Sequence, residues 1–323
     1  MFHLFGNILT TYGTAANNRG ETEGNTSTLQ KLNWKSEVHS SVSSESIRWA
    51  LRYCWQIQGY DVNRIWEEDN PNKIRWQDEN FDAVKYIDDD VLGFMKVEAA
   101  KQEGSEQPQK EELDNSEPSE YAEKDTKPKR KKKKKPQATS LKRRGILDVT
   151  RAVSTMPYSG DITFNAFSGE KGRTSLYSTE VHATYYQFGF ALTPEYLKNK
   201  SRINAVLDGL ISIGEVAGNH ARFLYDFSPE SIILRWTHDA SPRFLYCFEE
   251  DEFGNISIPN LIRRLEVGDI NPEELWIGGK IADSSEDWKL GDSRPHIFRG
   301  VKAVVEDIKK VIAEDLQSVT ESS

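Results

Sequence analysis

The chain is poor in the residues from which catalytic and metal centres are commonly built. Of its 323 residues, two are cysteine and six are histidine. Cys54 and Cys247 lie far apart in apolar surroundings. That excludes a disulfide framework and a cysteine-ligated zinc site, and leaves core thiols in a reducing compartment. No stretch approaches the roughly 18 apolar residues of a membrane span, so no membrane partner is expected and a cytoplasmic location is. The opening "MFHLFGNI" has no basic region ahead of a long apolar run, so no secretory signal is expected. Phosphate-loop spacing is missing too. Positive charge is short overall: 42 Lys and Arg against 51 Asp and Glu give a net charge of −9. That total does not suggest a general nucleic-acid binder, but charge segregation matters more than the sum.

Aromatic residues are plentiful. Eight Trp, twelve Tyr and fourteen Phe are enough for a substantial core. They are absent from most of one region. Residues 98–144 open acidic, with "EAAKQEGSEQPQKEELDNSEPSEYAEKD", and close basic, with "KPKRKKKKKPQATSLKRR". Such a composition buries too little apolar surface to offset ordering entropy. The region is expected to be a disordered polyampholytic insertion dividing one fold, with residues 1–97 and 145–323 as the two parts of a common core. Its lysine run is either a solvated tail or a salt-sensitive contact for nucleic acid.

Outside the insertion the periodicities are clear. Ser44 is a candidate N-cap, and Ile47, Ala50, Leu51 and Cys54 form one helical stripe, with Arg48, Arg52 and Trp55 on another face. "ILDVTRAVS" and "EVHATYYQFGFALT" read as strands. In the second, His182, Thr184, Tyr186, Phe188, Phe190 and Leu192 share a face that is wet at one end. A second helical stripe runs from Ile203 to Gly214. "ESIILRWTH" and "RFLYCFEE" read as a hairpin turned at "DASP", and Val301, Val304, Val305, Ile308 and Ile312 mark a closing amphipathic helix. The pattern predicts an α+β fold with a mostly antiparallel sheet and helices on one side.

Five places hold donors without an obvious nucleophile. The glycine-bearing loop after the first strand carries Asn17, Asn18 and Arg19, and is either a contact for a polar ligand or a solvated loop. "HSSVSSESIR" offers His39, Ser40, Ser43, Ser46 and Arg48 at a helix start, which suits an anion; ordinary capping needs only one of these serines. Arg151 alternates with Val149 and Val153 and needs a partner, either a phosphate or a carboxylate such as Asp148 or Asp161. Lys171 and Arg173 sit in a glycine-rich hairpin tip. Asn219, His220 and Arg222 follow the second helix, where a helix cap with a satisfied histidine is the plainer alternative. Asp88, Asp89 and Asp90 read as solvated turn residues rather than metal ligands. No catalytic set, metal site or cofactor is expected.

Several stretches taken together resemble one family. "FGNILTTYGTAANNRGETEGN", "HSSVSSESIRWALRY", "DDDVLGFM", "RRGILDVTRAVST" and "GNHARFLYDFSPESIILRW" are similar, in this order, to the DevR family of CRISPR-associated proteins. The resemblance covers most of the chain outside the insertion. It implies a ferredoxin-like, RRM-related core with large insertions. It also implies the repeated backbone subunit of a type I Cascade complex, of the I-B branch. Such a subunit coats a CRISPR guide RNA together with further copies of itself and other Cascade subunits, and meets target DNA through the guide. Under that resemblance the donors above become guide-RNA contacts, with Lys171 and Arg173 in a gripping hairpin. Two rivals stay open: a type III-like backbone subunit that cleaves target RNA, and a CRISPR RNA-processing endoribonuclease.

Overall fold

The computed structural model describes residues 1–16, 22–67, 74–97, 140–166, 176–214, 216, 224–288 and 293–321. The chain divides into two units. The larger comprises Met1–Gly93 and Arg144–Ser323. In the smaller, Phe94–Val97 pairs antiparallel with Ser140–Arg143, so the last residues of the segment read as unstructured are strand. Residues 98–139 lie outside the described residues.

A nine-stranded sheet organises the larger unit. Its strands, in chain order, are β1 His3–Thr10, β2 Lys31–Trp34, β3 Glu37–Val42, β4 Leu147–Val149, β5 Ala152–Ser154, β6 Tyr186–Leu192, β7 Pro229–Thr237, β8 Leu275–Gly279 and β9 His296–Phe298. In space the order is β9-β8-β7-β1-β6-β5-β3-β2, and β4 also pairs with β6. Every pairing is antiparallel except β8 with β9. The helices are α1 Ser44–Ile57, α2 Ile87–Val91, α3 Arg202–Leu210, α4 Pro259–Glu266 and α5 Val301–Glu321. The centre runs β1, α1, β4/β5, β6, α3, β7 along the chain and β7-β1-β6-β5 across the sheet.

β1 shows why the centre is where it is. Seven of its eight residues are buried, so the strand is covered on both faces. Leu4 and Ile8 join the core formed with Ile47, Leu51 and Trp55 of α1, Ile203 and Leu207 of α3, and Val304, Val305, Ile308 and Ile312 of α5. Phe5 and Leu9, one residue out of phase, join a second core with Phe244, Cys247, Phe248 and Leu261. The expectation of helices on one side therefore holds for α1, α3 and α5, but α4 and residues 244–248 cover the opposite face.

Several local expectations are corrected. The N-cap of α1 is Ser43, whose hydroxyl accepts from the Ser46 N–H at 3.2 Å. Trp55, on the face it shares with the partly buried Arg48 and Arg52, is fully buried and donates its indole N–H to the Ala205 carbonyl at 2.9 Å. "EVHATYYQFGFALT" breaks at Tyr185: His182–Thr184 pairs with Gly13–Ala15, and β6 begins at Tyr186. "ILDVTRAVS" splits into β4 and β5, both against β6. "RFLYCFEE" is not a hairpin partner of β7, whose flank is taken by β8. Arg243 and Tyr246 have positive φ, 61° and 55°, which no strand tolerates. The segment packs its aromatics onto the sheet instead.

Candidate nucleic-acid interface

Three of the five donor segments, 17–19, 171–173 and 219–222, lie outside the described residues; their flanks do not. Strand Gly13–Ala15 enters the first segment and pairs with His182–Thr184. After it, Thr22–Glu23 pairs with Thr26–Ser27, which runs parallel to Leu176–Glu180, the strand leaving the second segment. Leu29 N–H and Lys31 Nζ both donate to the Glu180 carboxylate at 2.7 Å. On the far side of the third segment, Thr11 Oγ1 donates to the Asp226 carbonyl at 2.6 Å, and a Cβ at Gly13 would come within 3.2 Å of the Tyr225 ring. The flanks of 17–19 and 219–222 thus meet at one end of the sheet, and the strand leaving 171–173 leads into the same place at His182.

A buried polar network ties that end together. The Tyr225 hydroxyl lies 2.7 Å from Thr10 Oγ1 and donates toward the carbonyls of Thr11 and Thr184, at 2.9 and 3.1 Å. Thr10 Oγ1 in turn accepts from the Tyr186 N–H at 2.9 Å. The Tyr186 hydroxyl meets Ser40 Oγ at 2.8 Å, and Ser40 Oγ meets His182 Nδ1 at 2.7 Å. Burial pushes both tyrosine phenols up, and pushes the His182 imidazole down to about 4, with the nearby His39 adding to the effect. At neutral pH His182 is uncharged.

The described candidates are placed as follows. His39 and Ser40 are buried in β3, not exposed ahead of the helix. His39 Nδ1 donates to the Ser154 carbonyl at 2.8 Å, and Ser40 belongs to the network just described. The wet end expected for the His182 face is likewise a dry, hydrogen-bonded interior. Ser43 is buried as the cap; Ser46 is half-buried, its hydroxyl 3.1 Å from that of Ser43. Glu45 in the first turn accepts backbone and serine hydrogen bonds that hold its carboxyl below the usual range. Arg48 is half-buried and donates to the Leu92 carbonyl. Gly145 permits this, since a Cβ there would stand 2.7 Å from Leu92 O and 3.3 Å from the guanidinium. Arg151 is exposed, with Gln30 Oε1 and Ser41 Oγ each 3.3 Å from its NH1. Its alternation with Val149 and Val153 fails because the strand breaks at Thr150, and its hydrogen-bonding partners are neutral rather than Asp148 or Asp161.

The aspartates are the largest correction. Asp88, Asp89 and Asp90 are buried on α2. Asp88 accepts from Arg52 Nε at 3.1 Å and from the backbone of Asn63 and Arg64. Asp90 meets Arg202 NH1 at 2.8 Å and the N–H groups of Lys198 and Asn199. Asp89 accepts from Asn63 Nδ2, and burial beside the Asp88 charge raises it to about 6. The partners named here come from 24 to 112 positions away, beyond the reach of local pattern. Among the described residues no group of three His, Cys, Asp or Glu could hold a metal ion, and no helix is long and apolar enough to cross a membrane.

Fold and site together define an α+β protein built on one long sheet, with flanks of donor-bearing segments and a dry polar network at one end. No family model matches the chain. It is 42% identical over 316 residues, 93% of its length and 92% of the relative's, to the CRISPR-associated protein Cas7/Cst2/DevR of Myxococcus xanthus (strain DK1622). The chain belongs to the Cas7/Cst2/DevR family of CRISPR-associated proteins. Its fold is similar to that of a chain in a solved CRISPR RNA-guided surveillance complex, pre-nicking, with 11% identity, 97% and 99% of the two chains covered and a TM-score of 0.51.

Proposed function

We propose that this chain is a guide-RNA-binding backbone subunit of a type I CRISPR surveillance complex. Copies of it line the guide with other Cascade subunits and present the bases to target DNA, in the cytoplasm and without cutting. The observation that carries this reading is the convergence of the flanks of segments 17–19 and 219–222 around Tyr225, Thr10 and His182, with Leu176–Glu180, the strand that leaves segment 171–173, running directly into His182. Donors rooted at one sheet end suit a strand of phosphates and 2′-hydroxyls, which asks for hydrogen bonds rather than chemistry. The central order β7-β1-β6-β5, with a helix in each crossover, supports a ferredoxin-like, RRM-related core. Asp88 and Asp90 are engaged by arginines and backbone N–H groups, which supports a structural rather than a nucleolytic role for them.

The test is co-expression with a CRISPR array and purification by size. A salt-sensitive ribonucleoprotein larger than the free subunit is expected, with little dependence on guide sequence. Recovery of the subunit free of RNA would sink the reading. Incubating the assembly with target RNA and magnesium, and the free subunit with repeat RNA, tests the absence of cleavage.

A further inference from the structure

A polar cavity of about 280 Å³ lies beside the second core, between residues 243–247 and α4. Arg243 reaches it from the loop, and Arg263 and Arg264 from the last turn of α4. Asp239 holds Arg243 at 2.5 Å, and Asp269 holds Arg264 at 3.4 Å. Arg235 also shares Asp239, at 3.4 Å, and has Glu274 as a second partner at 2.7 Å. The Arg263 side chain has no ion-pair or hydrogen-bond partner among the described residues, so the uncompensated positive charge at the cavity rests on Arg263. The wall opposite the helix is strained. Arg243 and Tyr246, neither of them glycine, both adopt left-handed backbone within four residues and turn the chain around the space. Tyr246 fixes that wall, donating its hydroxyl to the Arg151 carbonyl at 2.7 Å with its ring against Trp34.

We propose that this cavity binds a phosphate group. Arginines line it from two sides, Arg243 from the loop and Arg263 and Arg264 from the helix. A planar carboxylate matches one fork, whereas a phosphate presents oxygens in several directions and can engage both sides. The space exceeds a bare phosphate and leaves room for an attached sugar. None of these arginines belongs to the donor segments assigned to the guide, and the site stands without the function proposed above. Its phosphate could belong to a free nucleotide or pyrophosphate, or to a nucleic-acid strand.

Calorimetric titration of the purified full chain separates these sources. The probes are pyrophosphate, a 5′-phosphorylated dinucleotide and a short oligothymidylate without a terminal phosphate. Binding of pyrophosphate alone points to a free ligand, of the dinucleotide to a chain end, and of the oligothymidylate to internal phosphodiesters. Arg263→Gln is expected to weaken whichever binds by roughly tenfold or more, the loss of one charge-assisted contact. Arg263→Lys should fall between. Melting temperature should not move, because the Arg263 side chain has no internal partner to lose. Assembly on guide RNA should also be unchanged, so failure here and failure of the guide-binding reading are separate results. Three outcomes overturn the proposal: none of the probes binds, Arg263→Gln binds as well as wild type, or only an oligoglutamate peptide binds in an Arg263-dependent way, which would make the occupant a carboxylate.

Discussion

The Tyr225 hydroxyl stands 2.7 Å from that of Thr10, two residues 215 positions apart in the chain, and both are buried. Thr10 closes β1, just before the first donor segment; Tyr225 follows the third. The contact therefore fixes the roots of two donor segments against each other. Through Tyr186, Ser40 and His182 it extends to the strand that leads into α1.

Tyr225→Phe keeps the ring, and its packing on Gly13, Tyr186 and Phe227, but removes the hydroxyl. Thr184 and Thr11 lose a donor in a dry interior. A cost of about 1–3 kcal/mol is expected. The fold should survive, while guide-RNA affinity should fall by more than the stability loss explains, because the segments lose their common anchor. Denaturant melts and RNA binding by the same preparation check this. Unchanged RNA binding would mean that the network serves stability alone.

The Arg202–Asp90 pair should behave differently. Arg202 is buried and also donates to the carbonyls of Ala83, Val84 and Lys85, tying α3 to the turn before α2. Arg202→Met leaves the Asp90 carboxylate buried without the Arg202 charge, although the Lys198 and Asn199 N–H groups still bond it. Breaking a buried pair from one side costs roughly 3–5 kcal/mol. A double variant with Asp90→Asn should recover part of it. Chemical denaturation of the single and double variants measures the coupling, and strictly additive losses would refute it.

How much of this was legible depends on range along the chain. The stripe Ile47, Ala50, Leu51 and Cys54 and the stripe of α5 were readable, because helical period is local and burial follows it. The alternating face from Tyr186 to Leu192 was readable for the same reason. Residues 243–248 were not: their composition is strand-like, but the neighbouring place in the sheet belongs to β8, and two left-handed residues bend the segment over the second core. The aspartates of α2 look like a solvated turn until Arg52, Asn63 and Arg202 are brought to them. The donor segments were recognisable as polar and glycine-bearing. What binds their flanks together, Tyr225 to Thr10 and Ser40 to His182, joins positions 142 and 215 residues apart, and no local pattern encodes it.

His182 gives a pH dependence with a definite sign. Its folded value, about 4, lies below the ordinary value of 6.5 for the unfolded chain. Between those limits the unfolded chain binds more protons, so falling pH removes stability across that window. Asp89, raised to about 6 in the fold, acts in the opposite sense over an overlapping range. The difference between wild type and His182→Asn isolates the histidine. Wild type should lose stability relative to that variant as pH falls from about 6.5 toward 4, read from melting temperatures in matched buffers. Parallel curves would show that His182 is not held neutral by its surroundings.

Arg48 separates from Arg19 and Arg222. Its guanidinium is half-buried, donates to the Leu92 carbonyl, and is held below its usual basicity by burial. Arg48→Ala removes that bond and opens the space that Gly145 leaves for it, so the isolated subunit should melt earlier, by about 1–2 kcal/mol of stability. Arg19 and Arg222 lie in polar segments without apolar pattern, and replacing both with alanine should leave the melt of the isolated subunit where it is. If those segments hold guide phosphates, the loss recurs in every copy along the RNA, and assembly should fail cooperatively rather than weaken by degrees. Size-exclusion chromatography of co-expressed complexes, with calorimetry of the free subunits, distinguishes the two kinds of arginine. Normal complexes from the Arg19→Ala, Arg222→Ala double variant would place the RNA groove elsewhere on the sheet.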